Sequence, residues 1–151
     1  MLEPRADLAP VLAAVADGLS GDGFAIRFVL PDAMPPLAID GRTLEAILTT
    51  LADNARQAGA SDLAIAVRVE DDAALLDLTD NGPGVAPGDR DRIFDPFFTT
   101  KRATGGTGLG LSIARSLMQS YGGTLRLLPS DGGAHFELVC GLAPANPTPA
   151  R

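Results

Sequence analysis

The stretch RTLEAILTTLADNARQA, residues 42–58, decides the fold because its apolar residues repeat with the period of an α-helix. Five apolar side chains fall on one stripe: Leu44, Ile47, Leu48, Leu51 and Ala55. This spacing predicts an amphipathic helix that buries one face, and Gly59 directly after it is suited to a C-cap. Asn54 then lies about 100° from the buried stripe, at the boundary between helix and solvent.

Periodic segments flank this helix on both sides. Helical spacing predicts a first helix over residues 7–19, with Asp7 as N-cap, and a last helix over residues 108–121 that buries Leu109, Ile113 and Leu117. Alternation of apolar and polar residues predicts strands over residues 24–30, 63–69, 74–79, 124–128 and 134–142. This order predicts a two-layer α/β sandwich, in which about three helices cover one face of a mixed β-sheet.

The composition predicts one ordinary domain with a substantial core, since the chain has 151 residues and 46% of them are hydrophobic. We expect this domain over residues 1–143 and a flexible, proline-rich tail over residues 144–151. The net charge of −7 argues against a nucleic-acid partner. One cysteine and one histidine exclude an internal disulfide framework and metal sites built from clusters of these residues.

The sequence also predicts a cytoplasmic location without direct membrane contact. No apolar run approaches the roughly 20 residues that a membrane-spanning helix requires. The first residues, MLEPRADLAP, lack the basic-then-apolar order of a signal peptide. A lone thiol fits a reducing compartment, and the strand phase that Cys140 shares with Phe136 and Leu138 predicts a core position for it.

Two polar features stand near the ends of predicted elements. Asn54 offers a neutral amide oxygen to a hard cation such as Mg²⁺, although an isolated asparagine on a helix is more often a solvated residue. Asp80 ends a predicted strand and can accept a hydrogen bond from an exocyclic amine such as that of adenine. Gly82 and Gly84 allow backbone to approach a flat ligand, but the string DNGPG also suits a plain turn.

Two further features lie in or directly after residues 81–107, a long stretch with little periodicity that is typical of a lid or binding loop. IFDPFFTTK, residues 93–101, carries Phe94, Phe97 and Phe98, which can anchor such a segment, and Lys101, which can reach phosphate oxygens. GGTGLGL, residues 105–111, opens the last helix, where successive N–H groups form an anion site. The first stretch also suits a short packed turn, and the second is neither a Walker A motif nor the standard dinucleotide fingerprint.

In their order and spacing, these four features resemble the ATP-binding catalytic domain of sensor histidine kinases, in the superfamily that includes gyrase-type ATPases, Hsp90 and MutL. The resemblance covers about residues 5–142 and implies a Bergerat-type fold that binds ATP and Mg²⁺. It implies that Asn54 is the Mg²⁺ ligand and that Asp80 reads the adenine amine. It also implies nucleotide contacts from the other motif residues: Gly82, Gly84, Phe94, Phe98, Thr99, Thr100, Lys101, Gly106, Thr107, Gly108, Leu109 and Gly110.

Two residues of the first motif depart from the family pattern. Thr50 stands where many of these kinases have a second asparagine and gyrase-type enzymes have a hydrolytic glutamate, which favours phosphoryl transfer to a partner over hydrolysis. Gln57 replaces a frequent basic residue, so we expect moderate nucleotide affinity.

The phosphate charge must then be met by other groups. We expect Mg²⁺, Lys101, the helix end and either Arg56 or Arg102 to supply it. Catalytic roles are expected for Asn54, for Lys101 and for Asp53, which can act as a weak base or orient the waters of the metal.

The implied reaction is transfer of the γ-phosphoryl group to a histidine on a separate dimerisation and phosphoacceptor domain, with a response regulator as a further partner. His135, the only histidine, lies in a predicted strand, where a solvated residue is expected, and not in a helix before an acid. The isolated domain is expected to be monomeric. Two alternatives stay open: a stand-alone anti-sigma-type serine kinase, and a non-catalytic nucleotide-binding or scaffold module.

Overall fold

A computed structural model of the protein describes residues 4–21, 23–96, 98 and 110–144. Within them the elements are α1 Leu8–Leu19, β1 Ala25–Val29, α2 Gly41–Gln57, β2 Asp62–Glu70, β3 Ala73–Asp80, a 3₁₀ turn Pro87–Asp89, α3 Gly110–Ser120, β4 Thr124–Leu128 and β5 His135–Gly141. The predicted order of helices and strands is confirmed. So is the predicted two-layer α/β sandwich, since the described residues form a mixed five-stranded sheet and three α-helices.

The sheet places the end of β3 beside the start of β5. The strand order is β1-β2-β3-β5-β4, with β1 parallel to β2 and every other neighbouring pair antiparallel. In the register of β3 with β5, Leu76 faces Leu138 and Thr79 faces His135. Asp80 therefore ends β3 next to the chain that leads into β5.

The core lies between the helices and one face of the sheet. The central strands turn alternate side chains toward the helices, and the fully buried ones include Leu63, Ile65, Leu76, Leu78 and Leu138. The predicted stripe of α2 is buried from Leu44 to Ala55 because this helix contacts both α1 and α3. Burial of this apolar surface is the main stabilising contribution to such a fold.

Hydrogen bonds fix both ends of α2. Asp40 precedes the helix, and its Oδ2 accepts the backbone N–H of Thr43 at 3.0 Å, which is a side-chain N-cap. After the helix, Gly59 has φ of +99°, and the two N–H groups that follow the C-cap bond back to carbonyls of the last turn. The predicted terminal glycine is confirmed, and it sets the position of the turn that carries Asn54.

The helix α3 buries a different stripe from the predicted one. Ala114 and Met118 are buried, Leu117 is half-buried and Ile113 is 52% exposed, while Leu109 lies outside the described residues. The prediction that Ile113 is buried is therefore wrong. A helical period fits both stripes, and the small side chain of Ala114 lets the helix approach the core more closely than a branched residue would.

The burial of two residues, Cys140 and His135, was predicted from the phase of the last strand. Cys140 is 2% exposed, so its predicted core position is confirmed, and burial raises the pKa of its thiol. His135 lies in the strand phase opposite to Cys140, as predicted, but it is half-buried, and its Nε2 lies 2.8 Å from Oδ1 of Asp77. The expectation of a solvated histidine is corrected to a histidine paired with a carboxylate.

The chain stays hydrogen-bonded to the fold up to Pro144. The N–H of Ala143 donates to the carbonyl of Pro36 at 2.9 Å, and Nη1 of Arg5 donates to the carbonyl of Pro144 at 3.2 Å. Residues 145–151 lie outside the described part, so the boundary at 143 and the flexible tail stay predictions. In the described ranges, no helix has both the length and the apolar character needed to cross a membrane.

Candidate functional site

A cavity of about 420 Å³ opens where the end of α2, the end of β3, the start of α3 and the start of β5 meet. Its described polar lining comes from Asn54, Gln57, Asp80 and Asp89. Most of the remaining wall is apolar side chain or backbone: Ala58, Pro83, Gly84, Val85, Ala86, Ile93, Phe98, Leu111, Ala134 and Phe136. The fold thus brings four residues of the predicted site to one cavity: Asn54, Asp80, Gly84 and Phe98.

The carboxylate of Asp80 is held by backbone on one of its two oxygens. Oδ1 accepts the N–H of Gly82 at 2.8 Å and the N–H of Ala134 at 3.2 Å. The side chain is half-buried and lines the cavity. Among the described residues, no donor reaches Oδ2, so this oxygen is available to a ligand that presents an N–H group.

Gly82 and Gly84, the two glycines after Asp80 that were predicted to belong to the site, have different structural roles. Gly84 has φ of +76°, and a Cβ there would lie 2.5 Å from the carbonyl oxygen of Gly132, so only glycine lets these two loops touch. Gly82 does not line the cavity; it supplies the N–H to Asp80, and a Cβ there would lie 3.2 Å from Oδ1 of that aspartate. One glycine therefore shapes the wall and the other supports the carboxylate.

The last turns of α2 present an amide and a paired carboxylate. Asn54 is half-buried and lines the cavity, as expected for a residue at the edge of the helix. Asp53 is not among the described lining residues, and both of its oxygens accept hydrogen bonds. Oδ1 accepts from the guanidinium of Arg56, and Oδ2 accepts from Nε2 of Gln57 at 2.6 Å. Asp53 is therefore placed to orient Gln57 at the rim of the cavity.

The phenylalanines that the structure describes divide between anchoring and lining. Phe94 packs edge-on against Phe136, with ring centroids 6.3 Å apart and an interplanar angle of 82°. The guanidinium of Arg115, on α3, lies 4.7 Å from the centroid of the Phe94 ring. Phe98 lines the cavity, and Arg92 lies 4.6 Å over its ring. Phe94 thus joins the loop to β5 and α3, and Phe98 forms part of the wall.

Much of the predicted phosphate region lies outside the described residues. This holds for Phe97, Thr99, Thr100, Lys101, Arg102, Gly106, Thr107, Gly108 and Leu109, whose roles stay predictions. Gly110 is described as the first residue of α3. A Cβ at Gly110 would lie 3.1 Å from Cγ2 of Thr50, so this glycine lies close to α2.

Sequence reasoning missed the contribution of β5 and its preceding loop. Ala134 and Phe136 line the cavity, and Gly133 lies so close to Asp80 that a Cβ there would be 2.0 Å from the aspartate carbonyl oxygen. The available signal was the glycine pair before the last strand, which also fits an ordinary hairpin turn. Val85 and Ile93 were missed as wall residues because they belong to a segment without periodicity.

The described lining combines acceptors with apolar walls. It includes two carboxylates, those of Asp80 and Asp89, and among these lining residues there is no lysine or arginine. Within the described ranges, no group of three or more His, Cys, Asp or Glu side chains could hold a metal ion by itself. These acceptors and apolar walls fit a flat ring that carries an amine. The amide of Asn54 can also bind a cation whose other ligands come from elsewhere.

The comparison with protein families identifies the fold and its ligand class. The family described as "Histidine kinase-, DNA gyrase B-, and HSP90-like ATPase" matches residues 39–144. The chain belongs to this family. The resemblance to the ATP-binding catalytic domain of histidine kinases, drawn from the four motifs, is therefore confirmed.

Relatives and solved structures agree with this assignment. The catalytic domain is 37% identical over 119 residues to the sensor protein KdpD of Escherichia coli and 41% identical over 119 residues to the C4-dicarboxylate transport sensor protein DctB of Rhizobium meliloti. These matches cover 76% of this chain but only 13% and 19% of the relatives. The structure of full-length ShkA in complex with AMPPNP superimposes with a TM-score of 0.80 at 28% identity, over 96% of this chain and 32% of that one.

Proposed function

We propose that this domain binds Mg²⁺-ATP and transfers the γ-phosphoryl group to a histidine on a separate dimerisation and phosphoacceptor domain. The observation that supports this most directly is that the Asn54 amide and the Asp80 carboxylate line one cavity with largely apolar walls. A response regulator would then receive the phosphoryl group from that histidine. ATP is a cytoplasmic substrate, so the proposal includes a cytoplasmic location for this site.

The residues divide the nucleotide between two ends of the cavity. Oδ2 of Asp80 accepts the exocyclic amine of adenine, and the apolar wall near Ile93 covers the ring. Asn54 supplies an amide oxygen to Mg²⁺, which keeps its other positions for water and phosphate oxygens. When bound, the metal neutralises part of the triphosphate charge and orients it.

The triphosphate end rests on residues that were predicted from sequence. Lys101, Thr99 and Thr100 follow the phenylalanine motif, and Gly106, Thr107, Gly108 and Leu109 lead into α3. Backbone N–H groups there, together with the start of α3 at Gly110, bind phosphate oxygens in the proposed complex.

The proposed reaction needs positioning more than covalent help from the protein. A nitrogen of the acceptor imidazole forms a bond to the γ-phosphorus while the bond to the β–γ bridging oxygen breaks, and ADP leaves with that electron pair. Thr50 has no carboxylate with which to activate water, which favours this transfer over hydrolysis. The one histidine of the chain is paired with Asp77 and is not among the described lining residues, so it is a poor acceptor.

Calorimetric titration of the chain with ATP tests the binding half of the proposal. We expect binding that requires Mg²⁺ and weakens at least tenfold in Asn54→Ala, because the amide ligand is lost. Gln119→Ala is the matched control, since it removes an exposed amide from α3. Binding that ignores Mg²⁺, or an unaffected Asn54→Ala, would contradict the assignment of Asn54.

Radiolabel transfer from γ-labelled ATP tests the kinase half. The chain is incubated with the phosphoacceptor domain of its parent protein, and an acid-labile, base-stable label on that domain is expected. Tight Mg²⁺-ATP binding without any label would favour a non-catalytic nucleotide module. A label that survives acid would indicate a serine acceptor and thus the anti-sigma-type alternative.

A further inference from the structure

The loop before β5, which the sequence did not predict as part of the site, packs directly against Asp80. Gly133 packs against Asp80 so that a Cβ at residue 133 would lie 2.0 Å from the aspartate carbonyl oxygen and 2.3 Å from Oδ1. Real Cβ atoms do not approach other atoms so closely, and Gly133 does not have a positive φ. The requirement for glycine is therefore the close approach to Asp80 and not the backbone conformation.

The same loop also bonds to Asp80 through its main chain. The N–H of Ala134 donates to Oδ1, and the carbonyl of Ala134 accepts the N–H of Asp80 at 3.1 Å. Gly82 donates the second N–H to Oδ1. Because both donors converge on Oδ1, they restrain the orientation of the carboxylate and leave Oδ2 as the oxygen for the proposed ligand.

We infer that Gly133 and Ala134 form, with the N–H of Gly82, a clamp that orients the Asp80 carboxylate and thereby selects a purine with an amine at position 6. This inference rests on the proposed nucleotide function and adds the loop before β5 to the residues that determine base specificity. Gly133 and Ala134 are positioning residues, since they act through Asp80 and need not touch the base.

The clamp makes a prediction that a merely supportive loop would not make. In Asp80→Asn, the N–H groups of Gly82 and Ala134 still require an oxygen acceptor. They should therefore hold the amide oxygen where Oδ1 of Asp80 lies, which turns the NH₂ group toward the ligand. That NH₂ group donates a hydrogen bond to the carbonyl of inosine and opposes the amine of adenine. The preference of the site for ATP over ITP should therefore reverse.

The experiment measures the dissociation constants of Mg²⁺-ATP and Mg²⁺-ITP for the whole chain and for its variants. We expect the unaltered chain to prefer ATP by about 10- to 100-fold, which is the usual loss for an unmade hydrogen bond to a charged group. Asp80→Asn should prefer ITP. Asparagine has the same shape as aspartate, so this variant should fold and can test the clamp even if the glycine variants fold poorly.

A pair of glycine variants tests the loop itself. Gly133→Ala should displace the carboxylate and reduce the ATP preference to less than about threefold, mainly through weaker ATP binding. Gly132→Ala is the matched control, because a Cβ at Gly132 meets nothing within 4 Å, and it should keep the full preference. Thermal unfolding of each variant separates lost specificity from lost folding.

The outcomes separate the two proposals. If the unaltered chain binds neither nucleotide, the proposed function fails and the clamp fails with it. If the chain prefers ATP but Asp80→Asn keeps that preference or shows none, the clamp is overturned while the nucleotide function stands. A folded Gly133→Ala that weakens ATP and ITP equally would also overturn the clamp, because the loop would then be only structural.

Discussion

Gln57 donates a hydrogen bond from Nε2 to Oδ2 of Asp53 over 2.6 Å, and this contact holds an uncharged amide at the rim of the cavity. A basic side chain at the same position would instead bring a positive charge toward the bound triphosphate. At about 8 Å, one such charge gains about 0.5 kcal/mol from each phosphate charge in water before screening. We therefore expect the amide at Gln57 to limit the affinity for ATP without preventing binding.

The first prediction concerns Gln57→Lys. We expect ATP affinity to rise about three- to tenfold at 50 mM salt and most of this gain to disappear at 300 mM salt, because surface charges are screened. Gln57→Met is the control, since it has a similar length and no charge. Equal affinities in the two variants at low salt would contradict an electrostatic limit at this position.

The second prediction concerns Asp53, whose carboxylate is already bonded to Arg56 and Gln57. We expect Asp53→Asn to lower the rate of phosphoryl transfer by about tenfold or less, with ATP affinity changed by less than about twofold. Loss of a general base typically costs about 10²- to 10⁴-fold. A rate loss in that range, measured in single-turnover transfer at saturating ATP, would show that Asp53 acts as a base and not through its neighbours.

The third prediction separates Phe94 from Phe98. Phe94→Ala should lower the free energy of unfolding by about 2 kcal/mol, because the ring is half-buried and packs edge-on against Phe136. That loss corresponds to a fall of about 4–8 °C in melting temperature. Phe98→Ala should weaken ATP binding with a smaller change in stability, since its ring lines the cavity. Thermal unfolding and titration of both variants check this, and similar effects of the two substitutions on both properties would refute the division.

Local periodicity predicted the elements on which the site is built, but not how they meet. The stripe of α2 and the glycine after it can be read within one segment, so the position of Asn54 followed directly from sequence. The contact between Asp80 and Ala134 joins residues 54 positions apart. It depends on which strands are neighbours in the sheet and on their register, and alternation of apolar residues specifies neither.

The same limit explains the error on α3. The sequence offers two overlapping apolar stripes, and hydropathy favours the one with Ile113 over the one with Ala114. The stripe that contains the small residue Ala114 is the one that packs, because the helix can then lie closer to the core. Such a choice depends on the shape of the opposite surface, which is absent from the sequence of the helix itself.

The fourth prediction concerns Cys140. Burial raises the pKa of its thiol, and a thiol reagent should modify it at pH 8 at least about 100-fold more slowly in the folded chain than in guanidinium. Because the thiol ionises at lower pH in the unfolded chain than in the folded chain, folding stability is lost as pH rises above the pKa of the unfolded thiol. Cys140→Ala should flatten this alkaline slope in denaturant titrations. Rapid labelling of the native chain would contradict the core position.

The last prediction concerns the outer face of the sheet, where Glu137 is 5% exposed although it carries a carboxylate. Arg126 pairs with it directly, and Nη2 of Arg68 lies 3.9 Å from Oε2. Arg126→Ala removes the closer cation and should destabilise the fold by about 1–2 kcal/mol, because a buried charge is left with only the more distant Arg68.

The pair Arg27–Asp62 provides the control for that prediction. It has good two-point geometry, with both donor distances at 2.8 Å, and Arg27 holds the pKa of Asp62 below its ordinary value. The pair is exposed, so water compensates its loss, and Arg27→Ala should change stability much less than Arg126→Ala. Urea unfolding of both variants compares them directly. Equal losses would mean that burial of Glu137 adds nothing to the cost of removing its partner.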